Sequence, residues 1–197
     1  TQEITVLPVD PPVWTNLPEP AITLSCAEAN TFNPPSLSYS STTGEGCTLE
    51  GSVAPVVTGS HNTCGGNYQV EWTYADECGN ALSYTQEVTV EAATPAQWTN
   101  LPNDTTLSCA EAVNYTAPIL TYANTDPSGC QVQGTASPNY NPNYDACGGT
   151  ITVDWVTNDE CGRVLTYQII VTVEPAADPI PLIDQLSLDS FIDYNTA

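Results

Sequence analysis

One stretch of this chain is written twice. Trp14-Thr15-Asn16-Leu17-Pro18 returns 84 residues later as Trp98-Thr99-Asn100-Leu101-Pro102. After a one-residue deletion the offset settles at 83 and holds at every cysteine. Cys26, Cys47, Cys64 and Cys78 correspond to Cys109, Cys130, Cys147 and Cys161, within matching Leu-Ser-Cys-Ala-Glu-Ala, Cys-Gly-Gly and Asp-Glu-Cys-Gly contexts. Self-similarity at a fixed period makes each copy, about 80 residues long, one structural unit. The expected organisation is two modules, residues 13–93 and 94–177, flanked by 1–12 and 178–197. Thr1-Gln2-Glu3-Ile4-Thr5-Val6 also aligns at 84 with Thr85-Gln86-Glu87-Val88-Thr89-Val90, so residues 1–12 read as the closing strand of a preceding module plus linker. Residues 178–197 read as a linker and a tail in which Leu186, Leu188, Ile192 and Tyr194 alternate with polar residues, a candidate pairing strand.

Within each copy the hydrophobic period is two. Tyr68, Val70, Trp72 and Tyr74 point one way, with Gln69, Glu71 and Thr73 opposite; Ile151, Val153 and Trp155 repeat the inward face. Leu82, Tyr84, Val88 and Val90, and then Leu165, Tyr167, Ile169, Val171 and Val173, do the same for the next strand. Ile22, Leu24 and Cys26 form the inward face of an earlier strand, matched by Thr105, Leu107 and Cys109. The intervening turn holds Gly79 or Gly162, which can take a positive φ. No helical period is visible. The expectation is an all-β fold of two tandem immunoglobulin-like β-sandwich modules, about seven strands in each.

Composition excludes several partners. The chain has 23 acidic residues against one basic residue, Arg163, for a formal charge of −22. Nucleic acids and anionic membrane surfaces are held by Lys and Arg clusters, which are absent here. No apolar run of membrane-spanning length occurs, so membrane insertion is not expected. The N-terminus reads as already processed or cut. Eight cysteines with a single histidine and no Cys-x-x-Cys spacing point to disulfides in an oxidising compartment, rather than to zinc.

The sequence restricts the pairing without settling it. Cys64 and Cys78 bracket a strand of roughly nine residues, about 30 Å long, so they cannot pair with each other. Two connectivities remain per module. In an immunoglobulin-like winding the strand ending at Cys26 runs parallel to the strand ending at Cys78. That favours Cys26–Cys78 with Cys47–Cys64 and, by repetition, Cys109–Cys161 with Cys130–Cys147.

The run Val70-Glu71-Trp72-Thr73-Tyr74-Ala75-Asp76-Glu77-Cys78-Gly79-Asn80, leading into a Gln-x-Val-Thr-Val strand, resembles the terminal motif of HYR-like repeats. The four-cysteine form is similar to the repeats of giant secreted surface adhesins of Bacteroidota, the SprB type. The resemblance covers nearly all of residues 14–174. It implies a cell-surface adhesive or stalk role, an extracellular location and no catalytic residues. The second copy departs from the motif at Asn158-Asp159-Glu160-Cys161-Gly162-Arg163, where Arg163 replaces the final Asn.

Few residues are candidates for chemistry. His61 has Tyr144 as its counterpart and reads as a surface loop residue without a triad around it. Asp76, Glu77, Asp159 and Glu160 recur before the cysteine turn. They are either calcium ligands or, on the plainer reading, turn residues whose Asp caps backbone N–H groups. Asn103 and Asn114 head N-glycosylation sequons, and Thr105 and Ser190 sit in Asp-Ser/Thr-x triplets that can be O-glycosylated. Trp72 and Trp155 read as core, and Trp14 and Trp98, at the module starts, as packing against the neighbouring module. No cofactor and no enzymatic activity is expected.

Three functions fit these features. The first is a stalk or adhesin segment whose partners are neighbouring modules. The second is a filament subunit that joins identical subunits by strand addition at its termini. The third is a carbohydrate-binding module pair of a secreted hydrolase, for which Tyr140 and Tyr144 are the candidate aromatics and surface glycans the candidate partner.

Overall fold

The computed structural model describes residues 1–5, 10–41, 49–76 and 79–177. The proposed tail strand and Ser190 lie outside them, as do Cys47, Glu77 and Cys78. The fold is all-β, two tandem immunoglobulin-like β-sandwich modules. The first contains β1 (Val13–Trp14), β2 (Ala21–Leu24), α1 (Cys26–Ala29), β3 (Leu37–Ser40), β4 (Glu50–Val53), β5 (Val56–Asn62), β6 (Gly65–Ala75) and β7 (Ala81–Val90). The second follows with β8 (Gln97–Trp98), β9 (Thr105–Leu107), α2 (Cys109–Ala112), β10 (Leu120–Ala123), β11 (Gln133–Ala136), β12 (Asn139–Asp145), β13 (Gly148–Asn158) and β14 (Val164–Val173). Residues 1–5 carry no strand, and Ile4 is 78% exposed.

The first module stacks the sheet β1-β3-β4 on the sheet β2-β7-β6-β5. The alternating side chains do what their period requires. Tyr68, Val70 and Trp72 of β6 and Val88 and Val90 of β7 are buried together with Leu37 and Ala29, and Trp14, Val53 and Phe32 pack against them. Trp72 Nε1 donates to Pro35 O at 3.0 Å, so the largest core side chain enters with its polar atom satisfied. Gln86 occupies an inward position on β7 and is 2% exposed. Its Nε2 donates to Glu19 O at 2.8 Å, while its buried Oε1 has no partner.

The second module repeats this chemistry. Its sheets run β11-β10-β8 and β12-β13-β14-β9. Ile151, Val153, Trp155, Ile169, Val171 and Val173 are buried, and Trp155 Nε1 donates to Pro118 O at 3.0 Å. Ile169 takes the place that Gln86 holds in the first copy.

Two features differ from the sequence reading. Each early strand is followed by a one-turn helix, α1 or α2, where no helix was expected. Ser25 Oγ accepts from Glu28 N–H while the Glu28 carboxylate accepts from Ser25 N–H at 2.8 Å; Ser108 and Glu111 form the same reciprocal cap. Cys26 therefore opens a helix instead of closing a strand.

The second difference is strand direction. β2 runs parallel to β7, with Leu24 opposite Val90, and β6 is antiparallel to β7, with Gly66 opposite Val90 and Ala75 opposite Ala81. β2 and β6 are thus antiparallel to each other. Cys26 emerges at the end of the sheet where β6 begins, beside Cys64. The Ala75–Ala81 end lies about 33 Å away along the strand.

Compactness does not follow the repeat. Among the described residues, one compact unit draws on those up to Thr99, on 121–135 and on 157–165; the other draws on 100–120, on 136–156 and on those from Thr166 onward.

Candidate functional site

The feature that most distinguishes this chain lies inside the first compact unit, where the linker after β7 meets residues of the second copy. Two disulfides hold it. Cys26 is bonded to Cys130 with Cα atoms 5.9 Å apart, and Cys64 to Cys161 at 5.2 Å. Both bonds join one copy to the next.

These bonds overturn the expected pairing. Cys26 is not bonded to Cys78, nor Cys64 to Cys47, and neither Cys109–Cys161 nor Cys130–Cys147 forms. The physical reason is the strand direction above. Because β2 is parallel to β7, Cys26 and Cys64 share one end of the sheet, and the reading that put Cys26 at the end of β6 fails. Cys109 and Cys147 are free thiols. Rejection of a Cys64–Cys78 bond agrees with Cys64 being bonded to Cys161.

Around the first disulfide the chain builds a small apolar core. Cys26, Ala93, Ala96, Tyr122, Cys130, Val132 and Leu165 are buried together, and Trp98 packs against them. Trp98 thus packs where the copies meet, whereas Trp14 packs on the core of its own module. Asn30, at the end of α1, donates from Nδ2 to Cys130 Sγ at 3.2 Å. Gly129 makes that approach possible. Its φ is +90°, and a Cβ there would come within 2.7 Å of Asn30 Nδ2.

Polar groups hold the linker from the other side. Thr94 N and Oγ1 donate to the Asp126 carboxylate at 2.7 and 2.8 Å. Asn124 Nδ2 donates to Thr94 O at 3.1 Å and to Cys130 O at 2.9 Å, and Asn124 Oδ1 accepts from Val132 N. Ala93 N donates to Thr63 O at 2.8 Å. The chain's one basic residue completes the arrangement. Arg163 donates from Nη1 to Ala93 O at 2.7 Å and from Nε to Asp159 Oδ2 at 2.7 Å.

Asp159 is accordingly a turn residue. Its Oδ1 accepts from the backbone N–H groups of Cys161 and Arg163, each at 2.9 Å, and its side chain is fully buried. Burial alone would raise its carboxyl. The Arg163 backbone and guanidinium hydrogen bonds, the Cys161 N–H and the nearby positive charge outweigh that and hold it below the usual carboxylate range. Asp76 makes the corresponding turn, accepting from Asn80 N and Nδ2 at 2.8 Å. Gly79 and Gly162 take the expected positive φ, +87° and +77°. Glu160 is exposed, and no cluster of metal-ligating side chains occurs among the described residues. A guanidinium stands against Asp159 where a calcium reading would place the ion.

The remaining candidates are dispersed. His61 is half-buried on β5 and stacks on Tyr68, with ring centroids 5.8 Å apart, rather than lying in a surface loop. It borders a shallow groove of about 200 Å³ shared with Phe32, Pro34 and Val57. Tyr140 meets Tyr115 edge-on at 6.5 Å, and its hydroxyl accepts from Ala117 N; Tyr144 is not part of that pair. Asn103, Asn114 and Thr105 are exposed and separate from the junction.

Sequence reasoning missed Asn30, Asn124, Asp126 and Gly129 as junction residues. A usable signal existed in Arg163. Its departure from Asn80 at an otherwise repeated turn marks a residue with a duty that only one copy performs.

No protein-family model matches the chain, and a search among curated proteins finds no match either. Two disulfides fit a compartment outside the reducing cytosol. No helix among the described residues is long and apolar enough to cross a membrane.

Proposed function

We propose that the chain is a non-enzymatic segment of an extracellular repeat array, serving as a stalk or adhesive shaft at a cell surface. The observation that carries this reading is the pair of disulfides running from one copy to the next. Two bonds between consecutive copies fix the joint covalently, which suits a shaft that must hold its modules in line. The acidic composition supports it as well, because a net charge far from zero keeps a long array soluble. The likeness of Trp72-Thr73-Tyr74-Ala75-Asp76-Glu77-Cys78-Gly79-Asn80 to HYR-like repeats of SprB-type adhesins points the same way. Electron microscopy of the native material tests it. Extended fibres or stalks built of modules of this size are expected; isolated globular particles attached to an enzyme would contradict it.

A further inference from the structure

The end of the second module is a copy of the bonded end of the first. Cys109 follows β9 as Cys26 follows β2, and Cys147 precedes β13 as Cys64 precedes β6. The scaffolds agree bond for bond. Glu174 N donates to Leu107 O at 2.8 Å, as Glu91 N does to Leu24 O. Ala176 N donates to Ala146 O at 2.9 Å, as Ala93 N does to Thr63 O at 2.8 Å. Cys147 N donates to Asp145 Oδ1 at 2.7 Å, as Cys64 N does to Asn62 Oδ1 at 2.8 Å. Both ends lie on the sheet edge where a parallel strand finishes, with Leu107 opposite Val173 and Leu24 opposite Val90.

What differs is occupancy. Cys26 is buried at 4% and bonded; Cys109 is only half-buried and free, and Cys147 is exposed and free. One turn after Cys109, in the place of Asn30, stands Val113, which is 71% exposed. Asn30 and Cys26 touch Gly129 and Cys130 of the following copy. Val113 and Cys109 have the same position with nothing upon them among the described residues. Two preorganised thiols and an uncovered apolar side chain define a partner, and the first end shows its chemistry.

We infer that Cys109 and Cys147 are covalent attachment points for a further four-cysteine repeat, which bonds them through its cysteines at the positions of Cys130 and Cys161. The inference rests on the array reading for the identity of the partner. Each bond forms from two thiols, which together lose two protons and two electrons. A small-molecule or protein disulfide is the oxidant; it takes the electrons by thiol–disulfide exchange through a mixed disulfide and leaves as two thiols. Repetition then gives a ladder in which every joint carries two rungs.

The test uses the whole chain in a glutathione redox buffer, read by non-reducing electrophoresis and by mapping of unreduced peptides. In a second copy of this chain the repeat register assigns the partner positions to Cys47 and Cys78. The expected products are disulfide-linked multimers in which Cys109 is joined to Cys47 and Cys147 to Cys78. The C109S/C147S double variant should lose them while still mapping Cys26–Cys130 and Cys64–Cys161. Each single variant should retain one of the two links. A Cys109–Cys147 bond within one chain, glutathione caps on both thiols without multimers, or multimers mapped to other cysteines would overturn the inference. Stalks seen in native material alongside any of those results would leave the array reading standing and remove only the covalent ladder.

Discussion

The sheet end that carries Cys26 and Cys64 and the end that carries Cys109 and Cys147 are made of the same parts, yet among the described residues only the first is closed. The capping boxes at Ser25 and Ser108 are superimposable in their bonding, and so are the turns before Cys64 and Cys147. Local sequence therefore builds the end without help from a neighbour. The neighbour adds burial of the first thiol, an Asn30 contact to sulfur, and the Arg163 bridge to the linker. The difference separates what a module makes for itself from what only the junction supplies.

The largest expected effect comes from opening the closed end. The two bonds span sequence separations of 104 and 97 residues. Loops of that length stabilise by about 4–5 kcal/mol each in the chain-entropy account. The C26S/C64S double variant should unfold at a much lower temperature by calorimetry, with the linker 93–97 losing hydrogen-exchange protection first. An unchanged melting temperature would mean that the junction holds no stability.

Next come the cores, where the modules should behave alike. Trp72→Phe and Trp155→Phe each leave a void and strand the carbonyl of Pro35 or Pro118. Each should cost about 2–3 kcal/mol in urea denaturation. A difference between the two well above 1 kcal/mol would show that the repeats are not energetically equivalent.

A smaller effect distinguishes the turns. Arg163→Asn gives the second turn the residue of the first and removes the guanidinium bonds to Asp159 and Ala93. A loss of about 1–3 kcal/mol at neutral pH is expected. The Asp159 carboxyl is held low in the folded chain, so its contribution is fully present above the unfolded carboxylate value and is lost as pH falls through the folded value. The gap between wild type and variant should therefore be constant near neutrality and narrow below about pH 4, leaving the share that comes from the bond to Ala93 O. A gap that widens in acid would reverse the assigned sign.

The smallest effect is a swap in the other direction. Gln86→Ile installs the residue found at Ile169, removing a buried oxygen without a partner and one bond to Glu19 O. The net change should be within about 1 kcal/mol and on the stabilising side. A clear destabilisation would show that the bond to Glu19 anchors β2.

Much of the fold was legible because burial has a period. Tyr68, Val70 and Trp72, and Ile151, Val153 and Trp155, alternate strictly, and their register follows from the sheet having one buried face. The short helices were legible in principle, since Ser25-x-x-Glu28 and Ser108-x-x-Glu111 have the spacing of reciprocal caps, but four residues are too few to show a helical period. The disulfides were not legible. Both copies carry the same four cysteines at the same spacing, so partners within a copy and partners in the next look identical in sequence. The parallel pairing of β2 with β7 excludes Cys26–Cys78, but it is the packing of the second copy's Cys130 and Cys161 against that end that supplies the partners. That pairing is set by long-range packing, of which the local pattern around Cys26 carries no trace.

Mapping the disulfides of the intact, unreduced chain by mass spectrometry tests the central claim most directly. With free thiols alkylated first, the account predicts peptides linking Cys26 to Cys130 and Cys64 to Cys161, with Cys109 and Cys147 alkylated in the monomer. Peptides linking Cys26 to Cys78 and Cys109 to Cys161 would contradict it, because they would place every bond inside one module and leave the junction without its staples.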